Sequence, residues 1–196
     1  MESKIRVVVI LTVVFLLGTF TGYFMALTRS SQLHTYEVPE VKVSLLPNKK
    51  YYSRITDLVR RANRSIYTVM FVVKYDPKEP DDPVNVILGL LCDAKRRGLD
   101  IRVLVDDETK RSYKKTLEYL AGCGIPVRLD KGRRVTTHVK MLLIDGKYLV
   151  VGSHNWTESA LKYNNEFSVL IVSEKLYRKA LSYFNELWVS GRAINS

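Results

Sequence analysis

The stretch from His138 to Asn155, HVKMLLIDGKYLVVGSHN, decides how the chain is read. Two apolar, β-branched runs, Val139 to Asp145 and Lys147 to Gly152, flank Asp145-Gly146, a dipeptide that favours the tight turn of a β-hairpin. The polar residues around this hairpin follow the spacing H-x-K-x4-D-x6-G-S-x-N. Side chains alternate along a strand, so His138 and Lys140 share one face and can reach a single phosphate. A neutral imidazole can attack phosphorus, and an ammonium stabilises the charge that develops on the nonbridging oxygens. Ser153 and Asn155 follow the second strand, where a hydroxyl and an amide can donate to the same oxygens. This set calls for no metal and no cofactor.

Outward from the hairpin, the remaining elements follow from their periodicity. Glu166 to Val172 reads as a buried strand, followed by a closing helix from Glu174 to Trp188. Upstream, Val41 to Leu46 alternates as a strand, and Ile55, Leu58, Val59 and Ala62 recur at helical spacing. Ser65 to Val73 reads as a strand buried on both faces, and Asp76 to Pro83 as a loop. A helix through Val84, Ile87, Leu88 and Leu91 stops at Gly98, and the strand Ile101 to Val105 follows. A helix from Lys114 to Ala121 then leads to the short strand Pro126 to Leu129. The order is that of an α/β fold with a mixed central sheet flanked by helices.

On His138, Lys140, Asp145, Gly152, Ser153 and Asn155 the sequence resembles the phospholipase D superfamily, whose signature is the HKD motif. The resemblance implies a phospholipase D-like sandwich and metal-independent phosphodiester chemistry through a phosphohistidine. It extends to Glu166, which would hydrogen-bond the other nitrogen of His138 and fix its tautomer. Asp145 reads as a turn residue whose carboxylate bonds its own turn. With Gly152 it is assigned a supporting role. The family mechanism uses two histidines, yet only one motif is present, since neither His34 nor His154 is followed by a lysine two residues on. The sequence therefore resembles the single-motif branch, whose members pair two identical subunits around one cleft. That branch includes bacterial endonucleases and a membrane-anchored mitochondrial member described both as a nuclease and as a cardiolipin hydrolase.

Charge bears on the substrate. The net charge of +11 and pI near 9.6 attract polyanions or anionic lipid head groups. Arg128, Lys131, Arg133 and Arg134 lead into His138, where they could grip phosphates flanking the scissile one. No base-reading motif accompanies them, so the reading is an endonuclease with little sequence specificity on DNA or RNA. Hydrolysis of anionic phospholipid is the alternative, and a non-catalytic nucleic-acid tether at the membrane is the third reading.

Residues 7–27 carry no charge, and at about 1.5 Å per residue such a helix crosses a hydrocarbon core of roughly 30 Å. The organisation expected is a transmembrane anchor at 1–28, a tether at 29–40 and a catalytic domain at 41–196. A cleaved secretory signal is the competing reading, disfavoured by the length of the run. Lys4 and Arg6 on one side and Arg29 and Lys42 on the other leave the orientation open. Cys92 and Cys123 are too few for a metal ribbon and are expected as half-buried free thiols, with one bridge possible in an oxidising compartment.

Overall fold

The computed structural model describes residues 15, 17–20, 41–132 and 135–194. It separates into two units, Met1–Pro39 and Glu40–Ser196. In the first, Phe15, Leu17 and Phe20 are helical and exposed. The rest of the expected span at 7–27 and the tether at 29–40, with His34, lie outside the described residues. Among the described residues no helix is long and apolar enough to cross a membrane.

The second unit begins with β1 (Lys42–Pro47), α1 (Lys49–Arg61), β2 (Ser65–Met70), α2 (Pro83–Arg96) and β3 (Asp100–Val105). It continues with α3 (Asp107–Ser112), α4 (Lys114–Gly122), β4 (Val127–Leu129), β5 (Lys140–Ile144) and β6 (Tyr148–Gly152). The chain closes with α5 (Glu158–Lys162), β7 (Phe167–Val172), α6 (Glu174–Ser190) and β8 (Arg192–Ala193). The strands form one sheet in the order β1-β7-β6-β5-β2-β3-β4-β8. The pairs β2–β3 and β3–β4 are parallel, as expected for a βαβ crossover, and the others are antiparallel.

Strand alternation sorts the core into two layers. Ile66, Met70, Ile101, Val103, Leu142 and Ile144 pack beneath the apolar stripes of α1 and α2. Val69, Leu104, Met141, Leu143 and Leu149 face the other way, against Tyr177 and Phe184 of α6. Covered on both sides, β2, β3 and β5 lack the polar alternation of an exposed strand. The expected hairpin turn is present: Asp145 (φ 54°) and Gly146 (φ 79°) both occupy the left-handed region that a two-residue turn requires.

Besides the short elements α5 and β8, which no pattern announced, three features depart from the expectations above. The strand expected to reach Val73 ends at Met70, and Val73 instead forms an isolated bridge with Trp156. Helix α3, with sequence DETKRS, has no apolar period. It is held by Asp106, whose side chain accepts from Glu108 N at 2.9 Å, and by acids in its first turn and bases in its last. The cysteines are not free thiols, because the packing of α2 near the end of α4 brings Cys92 and Cys123 to a Cα–Cα distance of 5.4 Å in a disulfide.

The bridge closes a loop across a sequence separation of 31. Such a closure stabilises by about 3–4 kcal/mol in the chain-entropy model. Reduction, or Cys92→Ser with Cys123→Ser, is expected to lower Tm by about 10 °C. A thermal melt with and without reductant checks this, and an unchanged Tm would show that the bridge is absent or without consequence.

Candidate active site

Lys140 opens β5 opposite Met70, with its side chain on the α1 and α2 side of the sheet and only 6% exposed. Burial of an ammonium is costly, and it pushes the Lys140 pKa below the usual lysine value, an effect partly offset by the Glu166 carboxylate. The ammonium lies against the imidazole of exposed His138, 3.0 Å from Nδ1 and 3.1 Å from Nε2, and donates to the His138 carbonyl at 3.0 Å. Phe71, which follows β2, stands 4.5 Å from the imidazole, and the Lys140 ammonium lies 5.0 Å from its ring centre. Sequence reasoning assigned Phe71 only to a buried strand.

Ser153 and Glu166 meet beside the sheet because β6 pairs with β7, placing Gly152 opposite Ser168. This pairing demands glycine, since a Cβ at position 152 would lie within 2.5 Å of Phe167 O and nearer still to Ser168. The Ser153 hydroxyl donates to the Glu166 carboxylate and accepts from Phe167 N at 3.0 Å. Its one proton is thus committed to Glu166, where the sequence suggested donation to a phosphate. Glu166 in turn accepts from Ser153 and from Asn164 Nδ2 at 3.1 Å, and its expected bond to His138 is not among the hydrogen bonds of the described residues. Asn155 is half-buried, with its Oδ1 buried and without a partner.

The supporting residues act over long range. The Asp145 carboxylate does not bond its own turn. It accepts from the backbone N–H groups of Asn63, Arg64 and Ser65 at 2.9–3.3 Å, tying the hairpin to the loop after α1. His154, to which the sequence gave no role, is fully buried and stacked on Tyr51 at 4.1 Å. Its Nε2 faces the Asn48 carbonyl at 3.1 Å, which can only accept, so Nδ1 accepts from Ser168 Oγ at 2.7 Å. Burial pushes the His154 pKa down, in keeping with this neutral ring. Asn48 (φ 48°) then brackets Glu166, receiving its N–H at Oδ1 (2.8 Å) and donating its own N–H to the Glu166 carbonyl (2.9 Å).

Of the expected basic cluster, Arg128 and Lys131 lie among the described residues, and Arg128 does not face the site. Arg128 pairs with Leu104 on the α6 side of the sheet, the face opposite Lys140. There it donates to the Trp188 carbonyl and lies 5.1 Å over the Trp188 ring. Lys131 is exposed, and Arg133 and Arg134 lie outside the described residues. Sequence proximity to His138 carried no information about faces. Among the described residues no cluster of His, Cys, Asp or Glu could hold a metal.

A family model described as the cardiolipin synthase, PLD-like domain matches residues 55–188, which contain the whole motif. The chain belongs to the phospholipase D-like family. This phospholipase D-like chain is 27% identical to the phospholipase D of Rickettsia typhi, in a match covering 100% of this chain and 98% of that protein. It is 29% identical to the mitochondrial cardiolipin hydrolase of Chlamydomonas reinhardtii over 69% of its length, and that match spans only 56% of the hydrolase. Among solved structures, the phospholipase D family member Nuc from Salmonella typhimurium superposes with a TM-score of 0.68 and 26% identity. That superposition covers 81% of this chain and all of the other. These likenesses put the phospholipase D-like chain among phosphodiesterases.

Proposed function

We propose that this protein is a metal-independent phosphodiesterase that forms a phosphohistidine at His138, cuts nucleic acid with little sequence preference, and acts as a homodimer. The observation that carries the reading is the Lys140 ammonium against the His138 imidazole, at the sheet end where Ser153, Glu166 and Asn155 also lie.

The ammonium is nearly equidistant from both ring nitrogens, so at rest it lies against the ring rather than on a single lone pair. A phosphodiester is a charged and stronger acceptor, and its arrival draws Lys140 off the ring toward the phosphate oxygens. His138 then forms an N–P bond as the P–O bond to the leaving group breaks, and the imidazolium of a second copy protonates the leaving oxygen. That neutralised imidazole next deprotonates water, which attacks phosphorus. The N–P bond breaks, and a phosphomonoester departs with both rings restored. Lys140 and the Asn155 amide stabilise the equatorial oxygens, and Ser153 orients Glu166. One chain holds a single motif, so the acid must come from a second copy. A fully active monomer by light scattering would contradict this requirement.

Nucleic acid is favoured by the net charge of +11. The second reading, anionic phospholipid, draws on relatives named phospholipase D and cardiolipin hydrolase. We place the catalytic domain at 41–196, with 7–27 holding it to a membrane. The disulfide supports an oxidising compartment for the domain. Cleavage of labelled single-stranded DNA or RNA is expected to proceed undiminished in excess EDTA, with cardiolipin vesicles assayed in parallel. Strict dependence on an added divalent cation would contradict the mechanism, and hydrolysis of lipid alone would contradict the substrate.

A further inference from the structure

Tyr163 lies between α5 and β7 with 72% of its surface exposed. Two cavities share it as a wall. The larger, about 590 Å³, is also lined by Lys49, Lys50 and Asn164, and the smaller, about 250 Å³, by Lys74 and Tyr113. The larger adjoins the candidate active site through Asn164, whose Nδ2 donates to Glu166 Oε1 at 3.1 Å.

Folding gives little reason for these residues. Lys49 and Lys50 sit in the first turn of α1, where the helix dipole disfavours cations, and no acid accompanies them there. Neither forms an ion pair among the described residues. A large ring left in solvent likewise gains nothing from burial. Cations that oppose their own helix, beside an exposed aromatic and one side chain from Glu166, suit a ligand that supplies both charge and flat faces.

We propose that the two cavities form a track for single-stranded nucleic acid leading from the active site, with phosphates against Lys49 and Lys50 and bases stacked on Tyr163 and Tyr113. This rests on the nuclease reading above and names the surface that gives it a substrate. Lys49 and Lys50 beside Tyr163 offer a cation for phosphate and a ring for a base, whereas a lipid head group offers charge without a ring to stack.

The test uses the full chain carrying His138→Ala, so that ligand survives, and follows anisotropy of a labelled oligothymidylate about twelve nucleotides long. Adding Tyr163→Ala is expected to raise Kd about tenfold, and Tyr163→Phe to leave it within about twofold. Lys49→Ala with Lys50→Ala is expected to reduce the slope of log K against log salt by about 1.4. Binding unchanged by all three substitutions would overturn the track. A loss seen only on cardiolipin vesicles would also overturn it and assign the cavities to head groups. If wild type hydrolyses only lipid while oligonucleotide binding still depends on Tyr163, the nuclease reading fails and the track stands.

Discussion

His138→Ala is expected to lower kcat by about 10⁴-fold or more on any phosphodiester this protein cleaves. One substitution removes two functions, because in a homodimer the same residue supplies the nucleophile from one copy and the proton donor from the other. The protein should remain folded. The His138 side chain is exposed and packs against Phe71 and Lys140, so its loss should change stability by no more than about 0.5 kcal/mol. Polyanion binding should change little. Turnover surviving within about tenfold of wild type would rule out His138 as nucleophile.

Lys140→Ala is expected to reduce kcat by about 10²–10³-fold, with some loss of affinity, because in the proposed mechanism the ammonium contacts the phosphate in both ground and transition states. The group also predicts a pH dependence. Burial holds its pKa below the usual lysine value, so deprotonation begins earlier as pH rises. Activity should therefore decline on the alkaline side before an ordinary lysine would titrate. Lys140→Arg, which stays protonated, should retain part of the rate and lose this alkaline decline. An identical decline in Lys140→Arg would assign it to another group.

The parts of the fold visible in the sequence are those written in local patterns. The Asp145-Gly146 turn, the apolar strands and the amphipathic helices each depend on neighbours within a few residues, and they appear where their patterns put them, save that β2 stops at Met70. The spacing of the motif residues likewise maps onto one hairpin. Contacts between distant segments were not. Asp145 binds backbone 80–82 residues away, His154 reaches Asn48 across 106, and Cys92 meets Cys123 across 31. Arg128 shows the same limit, since strand parity sends it to the face opposite Lys140 even though the two lie close in sequence. Helix α3 was missed because its caps and charges, rather than an apolar stripe, define it. The larger cavity joins residues 47–50 to 162–165, so a charge count along the chain could not reveal it.

Covalent transfer of the phosphoryl group to His138 is the step on which the proposed mechanism turns. The most direct measurement is intact mass and peptide mapping of protein quenched during turnover at alkaline pH, where a phosphoramidate survives and acid releases it. The phosphohistidine mechanism requires an acid-labile adduct on the peptide containing His138 in wild type, formed in EDTA and absent from His138→Ala. Turnover without any adduct on that peptide, or an adduct that persists in His138→Ala, would contradict it.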